Sequence, residues 1–252
     1  MFFLIQYARV VQAIRRFLSR KGMLARLNTW ARRSRAGLWF RSLFSVLDFH
    51  DFITLETPWW TLESGREIKS FLESTPHARV LEWGSGASTV WLGSLSGYVA
   101  SVESDANWAS MVKGSVGDNV EILTPVIPTR TSANVIRSKR WGFRHLDFTH
   151  YVHAIDAIPG QFDLIVIDGR AREACFHHAL NRLAPGGVIL FDNTNRLRYR
   201  RAIGAWKQAV SVSRSVGLTP IVPWPTETSI IRLQLDYAAA ETADARVSAS
   251  RR

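Results

Sequence analysis

The sequence predicts an α/β fold in which a mostly parallel seven-stranded sheet is closed by an antiparallel C-terminal hairpin. Three observations carry this. From about residue 60 the chain alternates short apolar runs with amphipathic segments, the pattern of strands joined by crossover helices. The run Phe162–Asp168 is apolar but for Asp163 near its start and the acid that ends it, as in a strand buried on both faces. The last two strand-like runs, Leu218–Val222 and Ser229–Leu235, stand too close together for a helical crossover and should pair antiparallel.

In chain order, a helix is expected over 61–74, followed by the strand Arg79–Trp83, which ends in a glycine turn. Ala87–Leu95 reads as a helix and Tyr98–Glu103 as a strand. Asp105 is placed to cap a helix running to about Lys113. Val120–Val126 is a third strand, and 127–160 has no clear period. A helix over 171–183 is expected to stop at Pro185-Gly186-Gly187, before the strand Val188–Phe191. A helix over 196–211 leads to the final pair, separated by Pro223-Trp224-Pro225-Thr226-Glu227.

The net charge of +11 is unevenly placed. Residues 1–50 carry ten Lys/Arg against one acid, Asp48, and hold +9 of it, so the basic character says little about the ligand of the α/β domain. The expected organisation is a basic helical extension at 1–50, an α/β domain at 51–237 and a disordered tail at 238–252. As a helix, residues 2–18 align Phe3, Tyr7, Val10, Val11, Ile14 and Leu18, with Arg9, Gln12, Arg16 and Arg20 opposite. Such a helix packs on its own domain or on a sister subunit in a homo-oligomer, or lies on an anionic membrane through residues 1–45. Its apolar stretch is far short of the ~20 residues of a membrane span. The pattern lacks the positive n-region and cleavage site of a secretory signal. Nucleic acid is not an expected partner, since the arginines sit in no recognisable binding module. The single cysteine, Cys175, excludes an intramolecular disulfide framework and suits the cytoplasm, with the inner membrane face as the peripheral alternative.

The chemistry concentrates at strand ends. Glu82-Trp83-Gly84-Ser85-Gly86-Ala87-Ser88-Thr89 spans a strand-to-helix turn, where glycine lets the backbone approach a ligand closely. Ligands of such sheets bind beyond the carboxyl ends of the strands. The acid before the glycines should face an amine-bearing ligand better than a pyrophosphate. Glu103, ending the next strand, can accept hydrogen bonds from both hydroxyls of a ribose.

With these motifs the sequence resembles class I S-adenosylmethionine-dependent methyltransferases over roughly residues 57–236. The resemblance rests on Val80–Gly86, Val102-Glu103, Phe162–Gly169 and Leu183–Asn193. It implies the Rossmann-like methyltransferase fold, with S-adenosylmethionine as cofactor. The glycine turn of Gly84, Ser85 and Gly86 would hold the methionine part, beside Glu82, Ser88 and Thr89, with Glu103 on the ribose and Asp168 beside the methyl donor. A narrower resemblance is to bacterial methyltransferase-like proteins with Glu82–Thr89, Asp168–Cys175 and Asp192–Arg196 as they stand here. Some of those are thought to act on sugars or surface polysaccharide, which implies O-methylation of a small molecule or glycan acceptor.

Asp168, Asp192 and Asn193 also resemble the Mg²⁺ site of catechol-type O-methyltransferases, where the metal lowers the pKa of a substrate hydroxyl. Here Gly169-Arg170 follows Asp168, and Arg170 would set a cation beside that metal. Asp168 and Arg170 are the candidate catalytic residues. Arg170, Arg172 and Arg196 are placed to meet a carboxylate or phosphate on the acceptor. His145, His150, His153, His177 and His178 are candidate general bases. Trp59-Trp60 can pack in the core or stack on a sugar. Two other readings are an NAD-dependent oxidoreductase and a non-catalytic membrane-associated protein of the same fold. Against the first, Thr89 stands where a dinucleotide motif needs its third glycine.

Overall fold

A computed structural model describes residues 2–46, 48–130, 132 and 135–234, with the side chains of 2–9 excepted. The tail expected at 238–252 lies outside the described residues.

Helices α1 (Phe2–Arg20), α2 (Met23–Arg33), α3 (Arg35–Ser42) and the short α4 (Phe49–Ile53) precede the sheet. Then follow α5 (Leu62–Glu73), β1 (Arg79–Trp83), α6 (Ala87–Gly93), β2 (Tyr98–Val102), α7 (Ala106–Lys113) and β3 (Val120–Leu123). The second half comprises α8 (Thr149–His153), β4 (Phe162–Ile167), α9 (Arg172–Leu180), β5 (Leu183–Asp192), α10 (Leu197–Gly204), β6 (Val210–Thr219) and β7 (Val222–Leu233).

The seven strands run in the order β3-β2-β1-β4-β5-β7-β6. The first five are parallel, while β7 is antiparallel to both β5 and β6. Alternation along the strands divides the core between two faces. Leu81, Val102, Ile165, Ile167, Ile189 and Phe191 meet Tyr151, Phe176 and Ile203 from α8, α9 and α10. Val80, Val99, Leu164, Val166 and Leu190 meet Trp60, Ile68, Leu72 and Leu92 on the other side.

Several boundaries differ from expectation. Pro185-Gly186-Gly187 does not follow a helix directly; α9 ends at Leu180, and these residues lie inside β5 at an irregularity in its pairing with β4. The hairpin turn falls between Thr219 and Val222, so Pro223 and Pro225 belong to β7. That strand has β5 alongside only from Thr228 onward, and prolines are tolerated where a strand has one open edge. The third strand ends at Leu123 and α10 at Gly204, both shorter than predicted.

The N-terminal helices pack on the α/β domain. Trp39 Nε1 donates to Val222 O at 2.8 Å, and Ser42 Oγ accepts from Ile221 N at 2.8 Å. Arg41, 1% exposed, makes a bidentate pair with Asp51 at 2.7 and 2.9 Å, which Arg15 joins at 2.7 Å. This buried ion pair crosses the position expected to separate extension from domain. No helix among the described residues is long and apolar enough to cross a membrane.

Candidate functional site

The carboxyl ends of β1, β2, β4 and β5 lie side by side in the sheet, so Glu82–Gly86, Glu103, Asp168 and Asp192-Asn193 converge on one edge. The glycine loop is shaped from below. Glu82 is fully buried, and its carboxylate accepts from Ser88 Oγ (2.5 Å), Thr89 Oγ1 (2.5 Å) and Ser101 Oγ (2.7 Å). Thr89 Oγ1 in turn accepts from Gly86 N at 2.8 Å, so the loop backbone is tied to the acid through a hydroxyl. Glu82 therefore braces the turn from inside, where the sequence suggested that it faces the ligand. The hydroxyls of Ser88 and Thr89 are likewise spent on Glu82. Burial, opposed by the three hydroxyls and reinforced by Asp168, raises the Glu82 carboxyl to about 7.

The two loop glycines have different reasons. Gly84 has φ +106°, and a Cβ there would meet Gly169 N at 2.6 Å, so the loop is pressed against the Asp168–Gly169 backbone. At Gly86 a Cβ would meet nothing within 4 Å, so this glycine faces open space. Ser85 Oγ bonds Ser101 Oγ at 2.7 Å, and Ser85 O accepts from Trp108 Nε1 at 2.7 Å. Glu103 receives Ser104 N (2.6 Å), Ser104 Oγ (3.0 Å) and Asp105 N (2.9 Å), all on Oε1. Its Oε2 has no partner among the described residues. Burial nevertheless moves the Glu103 pKa upward, against these bonds and the charge of Arg170. An open cradle at Gly86 beside a carboxylate with one free oxygen fits a nucleoside-bearing ligand.

Asp168 and Asp192 are joined by Arg172, which is 8% exposed. Its Nε donates to Gly169 O (3.0 Å), one terminal nitrogen to Asp192 O (2.7 Å) and Asn193 Oδ1 (3.5 Å), and the other to Asp168 O and Oδ1 (both 2.5 Å). All five guanidinium N–H donors are used. Asp192 Oδ1 accepts from Thr228 Oγ1 at 2.7 Å, and Oδ2 accepts from Asn193 Nδ2. Burial raises the Asp192 carboxyl to about 7, with the charge of Asp168 adding and Arg172 opposing. Asp168 is also raised by burial, held back by Arg172 and by the indole of Trp60. That indole N–H lies near Asp168 without completing a hydrogen bond.

The expected Mg²⁺ ligands are thus brought together, but they do not fit a metal. Of their side-chain oxygens only Asp168 Oδ2 is without a protein donor among the described residues, and Arg172 places a full positive charge among them. Mg²⁺ demands near-octahedral oxygen ligation at about 2.0–2.1 Å, which this arrangement lacks. The cation anticipated beside the carboxylates was Arg170; Arg172 takes that place. Arg170 makes no ion pair with either carboxylate and stacks 4.6 Å from the Phe143 ring.

Residues 81–194 match the family model of a methyltransferase domain. That segment, which holds the glycine loop, Glu103, Asp168 and Asp192-Asn193, is thus similar to methyltransferase domains. Among solved structures, the chain resembles an O-methyltransferase from Bacillus cereus in complex with SAH. The identity is 19% and the TM-score 0.52, covering 77% of this chain and 90% of that one. It also matches the O-methyltransferase TomG from Streptomyces achromogenes in complex with SAM, at 15% identity and TM-score 0.47, covering 68% and 80%. A methyltransferase-like protein from Silicibacter pomeroyi matches at 21% and 0.44, covering 66% and 83%. No curated protein matches the sequence. At these identities the structural likeness is one of fold, which matches the predicted seven-stranded architecture. Neither the nicotinamide-dependent nor the non-catalytic reading gains support.

Of the five candidate histidines, three are engaged elsewhere. Asp156 binds His153 Nδ1 at 2.8 Å and His178 Nε2 at 2.7 Å, while His177 Nδ1 accepts from Trp206 Nε1 at 3.0 Å. His145 and His150 are exposed. Trp60 is wholly buried against Trp91, while Trp59 is exposed. Cys175 is buried. Sequence reasoning missed Ser101, Thr228 and Tyr151, whose hydroxyl accepts from Arg170 N at 3.3 Å. Period-2 alternation places Ser101 in register beside Glu82, but a lone serine in an apolar strand carries no visible signal.

Gly84→Ala should destabilise the fold by roughly 1–3 kcal/mol through the Gly169 clash and left-handed strain; chemical denaturation reads this, and an unchanged midpoint contradicts the packing. Glu82 gives a pH test. Its folded pKa lies above its ordinary 4.5, so its contribution is fully present below that value and lost as pH rises through about 7. Melting curves should show wild type losing on the order of 3 kcal/mol relative to Glu82→Gln across that window. A pH-independent difference would sink the assignment.

Proposed function

We propose that the chain transfers a methyl group from S-adenosylmethionine to an oxygen nucleophile on a small molecule or glycan, without a metal ion. The observation carrying this is the open cradle at Gly86 beside Glu103 and Asp168. Bound there, the cofactor supplies an electrophilic methyl group on a sulfonium. The Gly84–Gly86 backbone takes the methionine part, Glu103 Oε2 accepts from the ribose, and Asp168 lies beside the donor. Transfer breaks the S–CH₃ bond, forms an O–CH₃ bond and releases the hydroxyl proton to Asp168 Oδ2, the carboxylate oxygen free of Arg172. Arg170 flanks the acceptor. Rate comes chiefly from holding the hydroxyl in line with the methyl group. Calorimetry with S-adenosylhomocysteine and NAD side by side tests the reading. The wild type should bind the first only, and Gly86→Val should weaken it at least tenfold without lowering Tm. Equal affinity in both proteins would overturn the cradle.

The N-terminal helices favour a second role, docking on an anionic membrane surface. Val10, Ile14, Phe17, Met23, Trp30 and Phe40 are exposed, and several line an apolar groove of about 470 Å³. Arg16, Arg20, Lys21, Arg26, Arg32 and Arg33 are exposed along the same helices. Apolar anchors with basic neighbours suit an acidic headgroup layer. The chain should sediment with vesicles rich in phosphatidylglycerol and not with phosphatidylcholine alone, and Ile14→Glu/Phe17→Glu should abolish it. Binding that ignores lipid charge or both substitutions would contradict the docking.

A further inference from the structure

Two pairs of arginines flank the ends of β4 and β5, and neither pair has a carboxylate partner among the described residues. Several arginines elsewhere in the chain are matched: Arg15 and Arg41 to Asp51, Arg172 to Asp168, Arg182 to Asp156, Arg200 to Glu227 and Arg232 to Glu67. Four arginines without a carboxylate pair, Arg140, Arg170, Arg196 and Arg198, lie around the mouth of the site.

Arg196 and Arg198 follow β5. Arg198 donates to Tyr199 Oη at 2.9 Å and Arg196 donates to the same oxygen at 3.4 Å. Two positive charges thus converge on one neutral phenol, in a side chain that is 4% exposed. The Nε of Arg198 is buried with no hydrogen-bond partner. The Arg172 guanidinium lies 5.9 Å from the Tyr199 ring while bonding Asp168, so this cluster adjoins the reacting centre through one residue. Arg170 and Arg140 form the second pair, 4.6 and 6.0 Å from the Phe143 ring, and the Arg170 Nε is also buried and unpartnered. Burial and the charge of Arg140 press the Arg170 pKa downward, and the charge of Glu103, which makes no ion pair with it, only partly offsets them.

We propose that the methyl acceptor carries an oxyanion, phosphate or carboxylate, which is seated by Arg196 and Arg198 and faced by Arg170 and Arg140. Guanidinium forks match the planar edge of either group and leave no such site for an uncharged sugar. The anion replaces the phenolic oxygen as the acceptor on which the two side chains converge. This places the acceptor's anchor beyond β5, with its hydroxyl reaching back toward Asp168. The inference rests on the methyl-transfer reading above and is separable from it.

The test is calorimetry on the full chain saturated with S-adenosylhomocysteine, at low ionic strength, with inorganic phosphate and citrate in separate arms and glucose as the uncharged control. One or both anions should bind and glucose should not. Arg196→Ala/Arg198→Ala should weaken the anion at least tenfold, and Arg196→Lys/Arg198→Lys should recover part of it. S-adenosylhomocysteine affinity and Tm should stay unchanged in both variants. Anion affinity equal in wild type and the alanine variant, or no anion binding in either arm, overturns the inference while leaving the methyl-transfer reading intact. Loss of S-adenosylhomocysteine binding by the wild type defeats the earlier reading instead.

Discussion

The buried guanidinium of Arg172 holds together the two strand ends on which the site is built. Its five donors reach Asp168, Gly169, Asp192 and Asn193, so the loops after β4 and β5 share one rigid anchor. Removing one partner of such a pair typically costs about 3–5 kcal/mol, because the remaining charges stay buried and uncompensated. Two carboxylates so close would otherwise repel. The raised Asp192 shows that one guanidinium does not wholly offset burial and the neighbouring acid.

Around this anchor the other parts fall into place. The Asp168–Gly169 backbone, fixed by Arg172, leaves room for Gly84 and no larger residue. Gly84 sets the turn, and Glu82 secures it through Ser88, Thr89 and Ser101. The open face at Gly86 results from supports that all lie beneath the loop. A buried acid bonded only to hydroxyls can change protonation without moving its partners, since a hydroxyl both donates and accepts. The loop geometry therefore does not depend on the charge of Glu82.

Much of this was legible in the sequence because it is local. The glycine turn, Glu103, Asp168 and the Asp192-Asn193 pair each terminate an apolar run, and parallel topology carries strand ends to one edge. The number of strands and the antiparallel closure followed from run lengths and connection lengths. The sixth strand, Val210–Thr219, however, begins in the stretch expected to be helical, and the run Leu218–Val222 expected to form it spans the hairpin turn. What sequence reading missed depends on contacts between distant segments. Pro223 and Pro225 looked like a break because their strand's open edge is invisible without β5 in place. Glu82 looked like a ligand group because nothing in the sequence shows Ser101 directly beside it on β2. Arg172 looked like a cation for the acceptor, although its spacing from Asp168, one helical turn, was a cue that it could fold back on that acid. The segment 127–160 stayed unreadable because its described residues before α8 form no helix or strand of their own and are held by cross-bonds such as Arg130 N to His145 O at 2.8 Å.

The central claim is that Arg172 occupies the position a metal would take, beside a cofactor cradle at Gly86. The most direct measurement is a crystal structure grown with S-adenosylhomocysteine and excess Mg²⁺. The account predicts the ribose on Glu103, the amino-acid part against Ser85–Gly86, and Arg172 still bonded to Asp168 and the β5 end, with no metal between them. A Mg²⁺ ion bound by Asp168, Asp192 and Asn193, with the Arg172 side chain displaced, would contradict it.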